Sequence, residues 1–327
     1  IKVCHKSNVV TVFDPEGRQV FKATGHESQE AKVQEEATRK ATLTIASPED
    51  EHLYGLGQFQ DGHLDLKGLT RRLTQVNTQI SVPFLLSSKG YGLLWNNYGL
   101  TDFNPSDKKV VMEREATEGA ERKVNVTSTE GGRIETRRNN SFKAAVDIEE
   151  DGRYAVLLDV GQKMARRHNL SIDGVTVTDL RNIWLPPTTS LLVDLTAGTH
   201  EFSAELERGD SPVIYYRKVD DTTVFHSPVA ECVDYTIFTG SADNIIASYR
   251  EATGEVPMLP SWAFGYIHCR ERFHSQEELL ATARRFRQEQ IPIDLIVQDW
   301  QYWGKYGWNA MQFDEAFYPD PTQMTED

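Results

Sequence analysis

The hydrophobic period changes once along this chain, near residue 241, and that change limits the fold more than any other feature. Upstream of it, short runs alternate apolar and polar residues or are rich in β-formers. They include Thr42-Leu43-Thr44-Ile45, Val124-Asn125-Val126-Thr127, Tyr154 to Val160, Leu191 to Leu195 and Val213 to Tyr216. Period-two alternation marks half-buried strands. Turn residues separate the runs, most sharply at Asp151-Gly152 and Asp173-Gly174. Asp-Gly suits a type I′ hairpin, because both central residues of that turn need positive φ. Many short strands joined by such turns predict β-sandwiches from residue 1 to about residue 240.

Downstream the pattern becomes helical and then β-α-β. Ser241 is placed to cap a helix carrying Ile245, Ile246 and Tyr249, with Gly254 near its end. Val256-Pro257-Met258-Leu259-Pro260 reads as a rigid connector. Phe264 to Cys269 is a short apolar strand, and Ser275 with Glu278 makes an S-x-x-E capping box. Leu279, Leu280, Ala283 and Phe286 mark one helical face. Ile291 to Val297 is apolar at nearly every position, as expected of a parallel strand covered on both faces. The crossover should be right-handed. Asp320-Pro321 starts a further helix, a cap followed by proline at the first position. The segment from Leu259 to Asp327 is far shorter than the roughly 250 residues of a (β/α)₈ barrel. It therefore reads as the start of a truncated barrel. The chain opens Ile1-Lys2-Val3 in strand-like sequence, which points to a trimmed N-terminus.

Composition narrows the partners. No apolar run approaches the roughly 20 residues of a membrane helix, which argues against membrane insertion. The net charge of −14 repels a nucleic-acid backbone, and the basic clusters Arg166-Arg167-His168 and Arg284-Arg285 are short enough to be solvated faces. Cys4, Cys232 and Cys269 form no metal-ligand spacing; Cys269 ends an apolar run and reads as a buried thiol. The histidines form no H-x-x-x-H pair, and His268 reads as a hydrogen-bonded core residue. Gly55-Leu56-Gly57 lacks the third glycine of a dinucleotide fingerprint. Asn125-Val126-Thr127 and Asn169-Leu170-Ser171 fit the glycosylation triplet, a common pattern. None of these signals a cofactor or a metal.

One cluster does suggest chemistry. In parallel α/β folds, ligands meet the carboxyl ends of strands. There the second strand delivers Gln298-Asp299-Trp300-Gln301-Tyr302-Trp303, followed by Tyr306 and Trp308. A carboxylate accepts hydrogen bonds from sugar hydroxyls, and aromatic faces cover the apolar side of a pyranose. The plainer alternative is that these aromatics only pack the mouth of a barrel.

Several segments, taken in order, resemble glycoside hydrolase family 31. Tyr54-Gly55-Leu56-Gly57-Gln58, Pro83-Phe84-Leu85 and Gly90-Tyr91-Gly92-Leu93-Leu94-Trp95-Asn96-Asn97 are similar to its N-terminal β-sandwich. Leu259-Pro260-Ser261-Trp262-Ala263-Phe264-Gly265 resembles its barrel entry. Arg270-Glu271-Arg272-Phe273, Asp299-Trp300-Gln301-Tyr302-Trp303 and Phe317-Tyr318-Pro319-Asp320-Pro321 continue the series. Phe142 to Tyr216 looks like a protective-antigen-type sandwich inserted into the first one. The expected organisation is a discontinuous β-sandwich over 1–104 and 223–258, an inserted module over 105–222, and the first β-α-β unit of a (β/α)₈ barrel over 259–327. The fold class is mainly β.

The resemblance implies a retaining α-glycoside hydrolase, with an α-xylosidase acting on xyloglucan-derived oligosaccharides favoured by the insert. An α-glucosidase or α-galactosidase, or a non-catalytic carbohydrate-binding sandwich, are the alternatives. It implies that Asp299 hydrogen-bonds the sugar, with Trp300 and Trp303 lining the same pocket, and that Gln58, Phe59 and Asp61 belong to a substrate-binding sandwich loop. No residue matches the family's nucleophile or acid/base, which are expected beyond Asp327, so this chain alone is expected to be inactive. The implied partner is an oligosaccharide, no cofactor is implied, and the implied location is periplasmic or extracellular. His268-Cys269 departs from the glutamine and small polar residue of many relatives, which bears on the choice of sugar.

Overall fold

The computed structural model describes residues 1–106, 108–128, 131–207 and 209–327. The chain divides into two compact units, residues 1–126 with 134–253 and residues 127–133 with 254–327.

The first unit holds two β-sandwiches. In the first, a seven-stranded sheet runs in the order Lys2–Cys4, Val9–Phe13, Gln19–Val33, Glu36–Ala46, Thr222–Ala230, Thr101–Phe103, Arg71–Leu73. It faces a four-stranded sheet ordered Tyr235–Thr239, Tyr91–Trp95, Ile80–Ser87, Leu53–Gln58. The alternation read from sequence is what fills the space between them. Ala41, Leu43 and Ile45 from one sheet and Tyr91, Leu93 and Trp95 from the other point inward and are buried. The other face of Tyr91–Trp95 is covered by helix α1 (Ala242–Thr253), whose Ile245 packs with Phe84 and Phe238. Ser241 Oγ accepts from Asn244 N at 3.3 Å, and Gly254 with φ +104° follows the helix end. Ile246 is exposed and does not share the buried face, whereas Ile245 and Tyr249, one turn apart, both pack on the sheet, with the Tyr249 ring 4.2 Å from that of Phe84.

The second sandwich lies between the strands Thr101–Phe103 and Thr222–Ala230 in sequence. A four-stranded sheet (Lys109–Val111, Val213–Lys218, Gly152–Asp159, Thr188–Leu195) packs on a five-stranded one (Glu113–Ser128, Gly131–Ile148, Gly198–Glu207, Ala165–Ile172, Val175–Leu185). Its core is built by Phe142, Val156, Leu158, Leu170, Phe202 and Ile214 with their neighbours. Asp173 and Gly174 both take positive φ, +49° and +79°, and close the hairpin between Ile172 and Val175 as expected. Asp151-Gly152 does not close a hairpin. The strand before it pairs with Gly198–Glu207 and the strand after it with Thr188–Leu195, so the turn carries the chain from one sheet to the other. Asp151 Oδ1 instead accepts from Ala197 N at 2.7 Å. Asn169 is buried and accepts from Glu205 N at 2.7 Å, so the triplet there is packed away from any glycan. The side chain of Asn125 falls outside the described residues.

In the second unit, Ile267–Arg270 pairs in parallel with Leu295–Gln298, and α2 (Gln276–Gln288) is the crossover. Both strands are shorter than their apolar runs suggest. Ser261–Phe264 is a 3₁₀ turn, and Ile291 to Asp294 precede the second strand. Cys269 is exposed, contrary to the sequence reading: a strand with one paired neighbour leaves its other flank uncovered. Ser275 Oγ accepts from Glu278 N at 3.2 Å, while Glu278 Oε2 accepts from His274 N at 2.6 Å, one residue before the cap. Phe273, Leu279, Tyr318 and Met324 form the core of this unit. α3 (Pro321–Glu326) is capped by Asp320, whose Oδ1 accepts from Gln323 N at 2.9 Å.

Candidate functional site

Asp299 follows the strand Leu295–Gln298 directly, at its carboxyl end, and is exposed. The residues around it fix that turn. Gln298 Nε2 donates to Trp300 O at 3.1 Å, reaching over Asp299, and Trp300 N donates to Glu271 O at 3.1 Å. The buried Tyr318 hydroxyl donates to Phe273 O at 2.5 Å and lies 3.0 Å from Gln298 Oε1. Burial pushes Tyr318 up to about 12, so its proton stays in place through the neutral range. One tyrosine thus ties the strand end to the segment that follows the first strand.

The aromatics beside Asp299 form one array. Trp303 is buried and meets Tyr302 edge-on at 5.1 Å and Trp300 edge-on at 6.5 Å. Trp308 is 82% exposed, outside the array. The acids further on are taken up locally. Asp314 accepts from Lys305 N and Ala316 N, both at 3.0 Å, and these bonds hold its carboxyl below the usual range. Glu315 is held at about 2 by Lys305 Nζ at 2.8 Å and the Tyr306 hydroxyl at 2.5 Å. Arg284 meets Asp327 at 3.1 Å. His268 is half-buried, 2.9 Å from the Tyr266 hydroxyl and packed against Phe286.

In the first unit, Gln58 ends the strand Leu53–Gln58 and is exposed. The glycines before it serve the bulge of this strand. Gly57 has φ +110°, and a Cβ there would stand 2.1 Å from Ile80 O, so the bulge admits only glycine. Phe59 packs against the sandwich core, and the Arg71 guanidinium lies over its ring, 3.9 Å from the centroid. Arg71 also ion-pairs Asp61, with side chains only 3% and 7% exposed. Asp61 is therefore committed to a buried pair and presents little carboxylate to solvent. Arg71 went unnoticed in the sequence, where only the doublet Arg71-Arg72 could have drawn attention to it. Among the described residues no group of three or more His, Cys, Asp or Glu converges to hold a metal, and no helix is long and apolar enough to cross a membrane.

Residues 1–104 match the family 31 N-terminal galactose mutarotase-like domain, and residues 256–327 match the family 31 TIM-barrel domain. The chain belongs to glycoside hydrolase family 31. An α-xylosidase of Saccharolobus solfataricus is 30% identical over 288 residues, covering 85% of this chain and 24% of that protein. An uncharacterized family 31 glucosidase of Pseudescherichia vulneris is 24% identical over 287 residues, covering 88% of this chain and 32% of the other. The crystal structure of the family 31 α-xylosidase from Xanthomonas citri superposes with a TM-score of 0.78 at 25% identity, over 98% of this chain and 39% of that one. This chain thus spans about a quarter to a third of the family 31 relatives it matches in sequence.

Proposed function

We propose that the protein containing this chain is a retaining α-glycosidase that prefers α-xylosides of oligosaccharides. The observation that carries this reading is Asp299, exposed at the carboxyl end of a parallel strand beside the Trp300–Trp303 pair, within the segment that matches the family's barrel. There an acid accepts from sugar hydroxyls while indole faces and edges meet the ring. Retention requires two carboxylates about 5 to 5.5 Å apart, one forming the glycosyl intermediate and one protonating the leaving oxygen and then activating water. No acid here is assigned either role, since Asp314, Glu315 and Asp320 are spent on loop and cap contacts. Substrate contact is assigned to Asp299, Trp300 and Trp303, and to Gln58 and Phe59, with Asp61 holding the loop that bears the last two. Residues 105–222 are read as an inserted protective-antigen-type module in a sandwich formed by 1–104 and 223–258, with the barrel beginning at 259. The xyloside preference is supported by the α-xylosidases of S. solfataricus and X. citri, and an α-glucoside preference by the P. vulneris relative.

The test compares this chain with its full-length form on aryl α-xyloside and aryl α-glucoside. Activity of the full-length protein alone, greater on the xyloside, is expected. Activity greater on the glucoside would change the sugar and keep the family reaction. Turnover by these 327 residues alone would overturn the assignment of catalysis to residues elsewhere.

A further inference from the structure

The loop that presents Gln58 and Phe59 is gripped from two sides, and one grip comes from the second sandwich. On the near side, Arg71 starts the edge strand Arg71–Leu73; it covers the Phe59 ring at 3.9 Å and pairs with Asp61. A guanidinium is planar, permanently charged and forked, so it can stack on a ring and bond a carboxylate together. On the far side, His63 Nε2 lies 3.3 Å from Ser190 O, while Thr78 bridges the loop to the second sandwich: its carbonyl accepts from Gln60 Nε2 at 3.0 Å and its hydroxyl donates to Trp184 O. The Trp184 and Ser190 carbonyls flank the corner between the strands Val175–Leu185 and Thr188–Leu195. The buried His168 ring fixes that corner, with Nε2 2.8 Å from Pro186 O, and lies close enough to Asp61 to feel its charge. Arg72 ties the two sandwiches directly, with Nε 3.0 Å from Asp102 Oδ1 and Nη1 3.0 Å from Asp159 Oδ2.

The contacts of Arg71, Thr78 and Ser190 converge on residues 59–63, while Arg72 holds the two sandwiches together behind them. Loops carrying ligand contacts are useful only when held near the productive geometry by packing and hydrogen bonds behind them. We propose that Arg71 is a positioning residue for the Gln58–Asp61 loop, and that residues 184–190 of the second sandwich clamp the same loop and so set how tightly the substrate is held. The inference deepens the glycosidase reading and rests on it. Arg71 and Thr78 touch no substrate in this scheme. Their loss weakens ground-state and transition-state binding alike, which raises KM and spares kcat.

The test uses the full-length protein with Arg71→Met, Arg71→Lys and Thr78→Val. Four quantities are read for each: KM and kcat on aryl α-xyloside, amide hydrogen exchange over residues 58–63, and the thermal midpoint. Arg71→Met is expected to raise KM about tenfold and Thr78→Val about threefold, the scale of one lost hydrogen bond or ion pair, with kcat within about twofold. Arg71→Lys keeps the charge and recovers the midpoint, but leaves KM high because an ammonium cannot stack and fork at once. Exchange over 58–63 quickens in Arg71→Met and Thr78→Val. A lower midpoint with unchanged KM and unchanged exchange would overturn the proposal and leave Arg71 a fold residue. If Arg71→Met does not fold, Thr78→Val decides on the same readouts. If the unmodified protein cleaves no α-glycoside, the glycosidase reading and the substrate part of the inference fall together, while the exchange data still decide whether the clamp exists.

Discussion

The indole N–H of Trp95 donates to Ser227 Oγ at 3.0 Å inside the first sandwich, and Ser227 Oγ lies 2.9 Å from Thr101 Oγ1. All three residues are buried. The bond joins the two facing sheets, since Trp95 ends a strand of one and Ser227 lies in a strand of the other. Ser227→Ala leaves a buried indole donor without a partner, which costs roughly 1–3 kcal/mol. Urea unfolding should show the midpoint falling with the m-value unchanged. Trp95→Phe with Ser227→Ala should cost less than the sum of the two single changes, because the orphaned donor is then gone.

Gly92 gives a second stability prediction, and its cause is space. A Cβ at Gly92 would stand 2.5 Å from Ile245 Cγ2 and 2.9 Å from Phe84 Cζ. Gly92→Ala therefore pushes α1 off the sheet and should cost about 1–3 kcal/mol by overpacking. Ile245→Ala removes that Cγ2, so the double variant should cost less than the sum of the two single changes, a coupling that thermal unfolding can measure. Strictly additive losses would place the cause in the strand backbone.

The parts of this structure that are legible in the sequence are local. Leu43 and Ile45 announce their strand by period alone, and Asp173-Gly174 and Ser275 with Glu278 carry their own turn and cap chemistry. What the sequence does not reveal depends on partners distant in the chain. Asp151-Gly152 has the same letters as the true hairpin, but strand pairing sends its two flanks to different sheets. Cys269 lies in an apolar run, and its burial depends on whether a further strand lies beside it. At the candidate site, Asp299 and its tryptophans are readable because they crowd one strand end. The Arg71–Asp61 pair is not, because nine intervening residues hide it and neither residue carries a motif of its own.

The ring of His200 is bonded on both nitrogens, Nδ1 to Asp173 Oδ2 at 2.6 Å and Nε2 to Thr196 O at 2.8 Å. Two acceptors favour the imidazolium, so its pKa lies above the ordinary value, chiefly through Asp173; Asp173 lies below its own, chiefly through His200. A raised histidine contributes stability that is complete below about pH 6.5 and lost as pH rises through the raised value. A depressed carboxylate contributes stability above about pH 3.9 that is lost as pH falls through the lowered value. The pair therefore stabilises the second sandwich most between about pH 4 and 6.5. Asp173→Asn keeps the turn, because asparagine accepts positive φ, but removes the charge. It should return the His200 titration seen by NMR toward the ordinary histidine value. The destabilisation it causes should be larger at pH 5.5 than at pH 9; equal losses at both would show that the turn matters and the charge does not.

The last prediction concerns Tyr318, whose hydroxyl reaches Phe273 O at 2.5 Å and Gln298 Oε1 at 3.0 Å. Tyr318→Phe keeps the ring among Phe273, Leu279 and Met324 and removes only these two contacts. The orphaned carbonyl of Phe273 should cost roughly 1 kcal/mol of stability. The larger effect is expected at Asp299. Gln298 bonds over the Asp299 turn to Trp300 O, and losing its anchor lets that turn drift. Displacing a positioning group by about 1 Å can cost as much as a hundredfold in rate, and a partly held turn should lose about tenfold in kcat/KM. In the full-length protein, Asp299→Asn should lose far more, because it removes the contact itself. The double variant should be no worse than Asp299→Asn alone, since Tyr318 acts only through Asp299. If Tyr318→Phe lowers the activity of Asp299→Asn by a further tenfold, the tyrosine serves the site by some other route than this turn.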